Sequence, residues 1–308
     1  MSINRRSFIK SSVGSGMALA LPKFEFSMDK KIDLPPTTTL KIMATNWGID
    51  SPLQQFCARV KEAGYDGVEL GWPTDSTEQK NLLSAAKEKN LNHAFLIGVW
   101  DTDDYATHLK SFEKKLREAA ATQPLYINCH AGKDHFSYDQ NLAFINLTAK
   151  VQAESKVPIY HETHRGRILY SAPVAKSYID KLPDLRLTLD ISHWCAVHES
   201  LLADQAASVG QALQRTEHVH ARIGHPEGPQ VNDPRAPEWE KAVEAHLGWW
   251  DKVVENKIRN GAPHITFLTE FGPPDYLPTI PYTRQPVANQ WDINVYMMQM
   301  LRKRYNKG

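Results

Sequence analysis

The stretch "PIYHETHRGR", Pro158–Arg167, begins like the inside of a strand and ends like nothing a core would accept. Pro158, Ile159 and Tyr160 are followed at once by His161, Glu162, Thr163, His164, Arg165 and Arg167. Charged groups seldom enter an interior unless paired. The polar end of this run therefore belongs where a strand meets water, metal or ligand.

The same design recurs along the chain. Short apolar runs occupy 41–48 (KIMATNWG), 65–72 (YDGVELGW), 93–100 (HAFLIGVW) and 125–132 (LYINCHAG). Others occupy 157–164 (VPIYHETH), 185–194 (LRLTLDISHW), 217–224 (EHVHARIG) and 264–272 (HITFLTEFG). Between them lie segments of helical period, such as "DYATHLKSFEKKLREAAAT", where Tyr105, Leu109, Phe112, Leu116 and Ala119 share a face. Strands alternating with helices imply a parallel sheet, and eight strands close a (β/α)8 TIM barrel. The rival open sheet should carry a Gly-rich phosphate turn after its first strand. "NWGIDSP" is not such a turn, and no P-loop is found elsewhere. The long insert "HPEGPQVNDPRAPEW", rich in Pro and Gly, reads as a loop over the barrel mouth.

Bulk properties narrow the function. The chain has 308 residues with 42% apolar content, enough for one large α/β domain. A formal net charge of +1 gives no general electrostatic case for nucleic acid or acidic lipid. Cys57, Cys129 and Cys195 are odd in number and far apart, so they read as buried thiols, not a disulfide framework. Residues 1–20 carry "NRRSFIK", a short weakly apolar run and Ala18-Leu19-Ala20, in the order of a twin-arginine export signal. Residues 21–40 read as a linker and 41–308 as a single barrel domain. A periplasmic or otherwise exported protein is expected, with no stable membrane insertion, since the apolar run is too short to span a bilayer. Nothing in the sequence opposes a homo-oligomer.

The polar residues fall at the C-terminal ends of the runs, the end at which barrels of this kind carry their active sites. Glu69 and Trp72 end the second run, and His130 the fourth. Glu162 and His164 end the fifth, Asp190 and His193 the sixth, His218, His220 and Arg222 the seventh, and Glu270 the eighth. Glu162, Asp190, His220 and Glu270 end four consecutive strands and form a candidate metal set. Carboxylates with one imidazole suit one divalent ion such as Mn²⁺, Mg²⁺, Co²⁺ or Zn²⁺, which would relieve their mutual repulsion. Trp47, Trp72, Trp100 and Trp194 also lie near strand ends, and about half are expected at the site.

Glu at the end of the fifth strand, Asp-x-x-His on the sixth, His on the seventh and Glu on the eighth resemble the xylose isomerase-like barrel superfamily. The nearest shape is the sugar isomerase/epimerase branch of ketose 3-epimerases and inosose dehydratases. The resemblance runs from about Lys41 to the C-terminus. It implies that Glu162, Asp190, His220 and Glu270 bind the metal and that His193 contacts substrate. The family's substrate arginine lies several residues beyond the seventh-strand His. Here the candidates are Arg222, two residues on, and Arg235 in the insert.

The chemistry expected is enediolate formation on a non-phosphorylated keto or aldo sugar, with Glu162 and Glu270 moving the proton. Epimerisation or isomerisation is the first expectation. Dehydration, hydration or lyase cleavage of a 3-keto sugar or glycoside would use the same centre, with His130 or His164 protonating a leaving group or holding carboxylates. His130, His164, His193, Arg222, Glu69 and Trp72 are the expected substrate contacts. Arg165, Arg167 and Lys133 are the candidates for any anionic group on the substrate. Two other classes stand further off. An apurinic endonuclease-like nuclease would need more His ligands, and "NDPRA" offers Asp233 without one. A non-catalytic sugar-binding protein would not need the metal carboxylates.

Overall fold

The computed structural model describes residues 29–306. The expected export signal and the first part of the expected linker lie outside the described residues. The elements alternate as follows: β1 (Thr39–Ala44), α1 (Leu53–Ala63), β2 (Gly67–Gly71), α2 (Ser76–Glu88), β3 (Asn92–Gly98) and α3 (Tyr105–Ala121). Next come β4 (Ile127–His130), α4 (Tyr138–Ser155), β5 (Ile159–Glu162), α5 (Ala172–Ile179), β6 (Leu187–Leu189), α6 (Ile191–Val197) and α7 (Ala206–Arg215). The chain continues with β7 (Thr216–Ala221), α8 (Glu240–Arg259), β8 (His264–Thr269) and α9 (Gln290–Arg304). The eight strands form one closed parallel barrel in chain order. Closure is made by β1 against β8, in register from Thr39–His264 to Ala44–Thr269.

Local chemistry sets the element ends. Asp75 and Asp104 cap α2 and α3 by accepting from backbone N–H groups. Ser137 and Gln140 form a reciprocal capping box at the start of α4. Gly64 ends α1 at φ 94°, a conformation that costs other residues strain. The run expected as one strand over 185–194 divides at Asp190. Its carboxylate accepts from Ser192 N–H at 3.2 Å and starts α6, leaving only three residues in β6.

Strand alternation sorts the core into two populations. Outward-facing side chains such as Val68, Leu70, Phe95, Ile127, Cys129 and Leu187 pack against the helices in one large buried cluster. Inside the barrel, Met43, Ala94, Tyr126, Tyr160 and Leu268 form a small apolar plug. Beyond that plug the interior turns polar, with Glu69, Asn128, His218, His220 and Thr266 all buried.

Residues 32–34, within the expected linker, are bonded to the barrel. Ile32 and Leu34 N–H groups donate to the carbonyls of Arg304 and Asn306 at 2.8 and 2.7 Å, and Leu34 is buried. β1 starts at Thr39, two residues before the expected boundary. Among the described residues no helix is long and apolar enough to cross a membrane.

Candidate metal centre and active site

Glu162 is the last residue of β5, Asp190 directly follows β6, His220 lies in β7 and Glu270 directly follows β8. Period two along these strands points all four inward at the same end. One donor atom from each lies within 4.8 Å of the others, and all four residues are buried. His220 Nδ1 is 2.8 Å from Glu270 Oε2 and 3.6 Å from Glu162 Oε2. Glu162 Oε1 is buried with no hydrogen-bond partner. Its other oxygen accepts from Asn128 Nδ2 at 2.6 Å and contacts His130 Nε2 at 2.8 Å. Three buried carboxylates, one imidazole and an orphaned carboxylate oxygen fit a hard or borderline divalent ion.

The charges bear on each other strongly. Burial pushes the Asp190 carboxyl up to about 6, against the pull of Arg222 and with Glu270 and Glu162 adding to the rise. Burial acts the same way on Glu162, but His130 and His220 overcome it and hold that carboxyl well below its ordinary range. His220 is held well above the usual imidazole range by Glu270, Glu162 and Glu69, in spite of burial. Arg222 is the guanidinium that balances the centre: it ion-pairs with Asp190 and lies 3.7 Å from Glu270. Of the two expected arginines, Arg222 therefore reaches the site. Arg235 pairs with Asp233 in the insert and is exposed.

The remaining expected contacts separate into those at the mouth and those elsewhere. His193 is fully buried, and its Nε2 is 2.7 Å from Arg222 Nη2, leaving Nδ1 without a partner. An arginine can only donate, so His193 carries its proton on Nδ1. The His164 ring lies 3.8 Å from His193 and 4.3 Å from His130, making a row of three imidazoles. His164 Nδ1 donates to the Arg165 carbonyl, which leaves Nε2 as an acceptor. Glu69 was expected among the substrate contacts and instead lies beneath the centre. It takes Tyr126 Oη at 2.7 Å, His218 Nε2 at 3.0 Å and His220 Nε2 at 3.1 Å. Glu69 thus braces the back of His220, as carboxylates behind metal-binding imidazoles commonly do.

Trp72 does not belong to the site. It shares the parity of Val68 and Leu70, so its indole turns outward, 4.8 Å from the Phe95 ring and beneath Glu118 of α3. Trp194 is also core, with Nε1 donating to the Leu169 carbonyl at 2.9 Å. Trp47 and Trp100 are at the mouth. Trp47 stands edge-on to Tyr276 at 5.0 Å, and Trp100 is 6.3 Å from the His130 ring. Trp47 sits so close to Gly272 that a Cβ there would fall 2.3 Å from the indole.

Asn128, Tyr126 and Tyr276 were not anticipated. Asn128 and Tyr126 share inward parity with His130, so counting back by two from that residue finds them. Tyr276 comes from the β8–α9 loop, faces the Arg222 guanidinium at 4.9 Å and has no periodic signal. The insert after β7 is fastened to the same side: Gln230 donates to the Gly272 carbonyl at 3.2 Å and accepts from its N–H at 2.7 Å.

Comparison with known proteins adds the following. A family described as "Xylose isomerase-like TIM barrel" matches residues 57–253. Curated protein sequences give no match. Among solved structures, the chain is similar to a D-allulose 3-epimerase from Methylomonas sp. (TM-score 0.59, 15% identity, 89% of this chain and 100% of that one). It is also similar to a 3-keto-D-glucoside 4-epimerase from E. coli (TM-score 0.57, 15% identity, 86% and 99%). A third is a probable 3-DHS dehydratase from Bacillus anthracis (TM-score 0.53, 17% identity, 85% and 98%). At these identities the likeness is one of fold.

Proposed function

The chain belongs to the xylose isomerase-like TIM barrel family, and from that premise we propose that it is a divalent-metal-dependent sugar isomerase or epimerase. The observation that carries this reading is the convergence of the four buried donors of Glu162, Asp190, His220 and Glu270 within 4.8 Å at the barrel mouth. Those four residues would hold the ion. When bound, the ion would polarise a sugar carbonyl and stabilise the negative charge left when a neighbouring C–H proton departs.

The protein's own groups do the rest. Glu162 and Glu270 stand three strands apart around the closed barrel, so one can remove a proton and the other return it to the opposite face. Asn128 and His130 fix one Glu162 oxygen and leave the other free. His193 meets the Arg222 guanidinium through Nε2, and its Nδ1–H is left without a partner. Trp47, Tyr276 and Trp100 offer flat apolar faces to the C–H side of a sugar ring.

Reprotonation fits this geometry better than elimination. The two histidines expected to protonate a leaving group have their N–H groups engaged, His130 with Glu162 and His164 with the Arg165 carbonyl. The test is NMR in D₂O of the metal-loaded protein with a panel of aldoses, ketoses and 3-keto-glycosides. Deuterium entering a carbon beside the carbonyl, with an epimer or isomer as product, is the expected result. An unsaturated product would assign dehydration or lyase chemistry, and no exchange with any sugar would reject the reading.

A further inference from the structure

Among the described residues three arginines are buried, and two of them are paired. Arg222 meets Asp190, and Arg304 meets Asp251 at 2.8 Å. Arg167 is different. It is 8% exposed, and its Nε and Nη1 atoms are buried without a hydrogen-bond partner. Among the described residues no carboxylate lies within ion-pair distance of it. A buried cation without a counterion is costly unless something else completes it.

Its place in the fold suggests what completes it. Arg167 lies in the β5–α5 loop, five residues after the metal-site Glu162, and its N–H donates to the His164 carbonyl at 3.2 Å. Burial pulls its guanidinium down, and the carboxylates of Glu162 and Asp134 and the Tyr276 phenol oppose that only from a distance. The other two basic groups expected for an anion are less suited. Arg165 is exposed and lies over the Tyr276 ring at 5.3 Å. Lys133 pairs at 3.2 Å with Asp103, which is mostly exposed. Lys133 is therefore a partner that can swing toward an arriving anion, and Arg167 is the fixed one.

We propose that Arg167 is the anchor of an anion-binding subsite beside the metal centre, so that the sugar taken by this protein carries a carboxylate or phosphate group. A guanidinium fork held in place by burial is well shaped for either group, and the anion would supply the missing counterion. The kind of sugar chemistry rests on the isomerase or epimerase reading, but the anion subsite does not.

The experiment uses the metal-loaded full chain and three matched probes: D-glucose, D-glucuronate and D-glucose 6-phosphate. Binding is measured by calorimetry and thermal shift, and deuterium exchange by NMR in parallel. An anionic probe should bind about 10-fold or more tightly than glucose, the carboxylate and phosphate arms identifying which group is preferred. Arg167→Gln should abolish that preference and keep metal affinity. Its own Tm should stay level or rise, since an unpaired buried charge has gone, and Arg167→Lys should recover part of the preference. Equal affinity for neutral and anionic probes, or a preference that survives Arg167→Gln, would overturn the proposal. So would a lowered Tm in Arg167→Gln with unchanged ligand preference, which would make Arg167 a structural residue. Anion preference without deuterium exchange would leave the subsite standing and count against the isomerase reading instead.

Discussion

The proposed chemistry divides the side chains of the centre into those that hold and those that act, and substitutions separate them. Glu162→Gln and Glu270→Gln keep size and an oxygen donor but remove the base. Each is expected to slow solvent exchange into substrate by about 10²–10⁴-fold while retaining part of the metal, checked by metal analysis beside NMR exchange rates. Asp190→Asn should act mainly on metal affinity, so that excess metal restores part of its activity. Wild-type exchange in both metal-loaded Glu→Gln variants would move the proton-transfer role to other groups. A second residue-scale prediction concerns His246 of α8. It is fully buried, and its Nε2 accepts from Gly224 N–H at 3.1 Å. Burial pulls its pKa down to about 4. The folded form thus stays neutral while the unfolded chain takes up a proton below its ordinary pKa. Stability is therefore complete above about pH 6.5 and is lost as pH falls toward 4, by up to roughly 3 kcal/mol from this residue. Denaturant titrations at several pH values should show a shallower acid slope in His246→Gln. An unchanged slope would remove His246 as its source. At this scale the convergence of the four candidate donors was readable from their position at the ends of four consecutive runs. Glu69 was misplaced because strand-end carboxylates look alike in sequence, whether they face a ligand or brace the imidazole behind it.

At the scale of elements, parity decided what could be read. Trp72 shows the failure: it sits one residue past β2, where sequence suggests the mouth, but alternation from Val68 and Leu70 turns it to the helix layer. Asn128 was hidden in the reverse way, as an inward polar residue inside an apolar run. The strand-helix alternation itself was legible, because a parallel barrel needs short, nearly continuous apolar strands and amphipathic helices in strict order. The break between β6 and α6 was not, since "LTLDISHW" is apolar enough for one strand and only Asp190's capping bond divides it. Loops carry no period, so Tyr276 and the Gln230 fastening became visible only in three dimensions. That fastening yields a prediction. Gln230 joins the β7–α8 insert to Gly272 by two hydrogen bonds, and the groups it would leave are buried. Gln230→Ala should cost about 1–3 kcal/mol and expose residues 225–236 to limited proteolysis. Protease resistance equal to the wild type would mean that the insert is held by other contacts.

At the scale of the whole molecule, residues 1–20 carry the proposal that the chain leaves the cytoplasm folded. Replacing Arg5 and Arg6 by Lys should then keep it inside, and unaltered export would reject the twin-arginine route. The barrel offers a further whole-molecule test, because its closure and its candidate metal centre share strands. β5, β6, β7 and β8 are neighbours in the closed sheet, and each ends in one donor of the set. Three carboxylates gathered at one end of four adjacent strands repel one another, and Arg222 and His220 offset this only in part. A divalent ion bound there would link all four strand ends and would bind only the folded form, because the unfolded chain scatters the donors. Binding of that kind stabilises by about 2.7 kcal/mol at a hundredfold excess over Kd. For a chain of this size that corresponds to a rise in Tm of about 4–5 °C. Scanning calorimetry of chelator-treated protein, with and without added Mn²⁺ or Mg²⁺, should show this rise. Asp190→Asn should reduce it. A Tm that does not respond to any of Mn²⁺, Mg²⁺, Co²⁺ or Zn²⁺ would show that the four strand ends are held together by Arg222 and His220 alone, and the metal-dependent reading would fall with it.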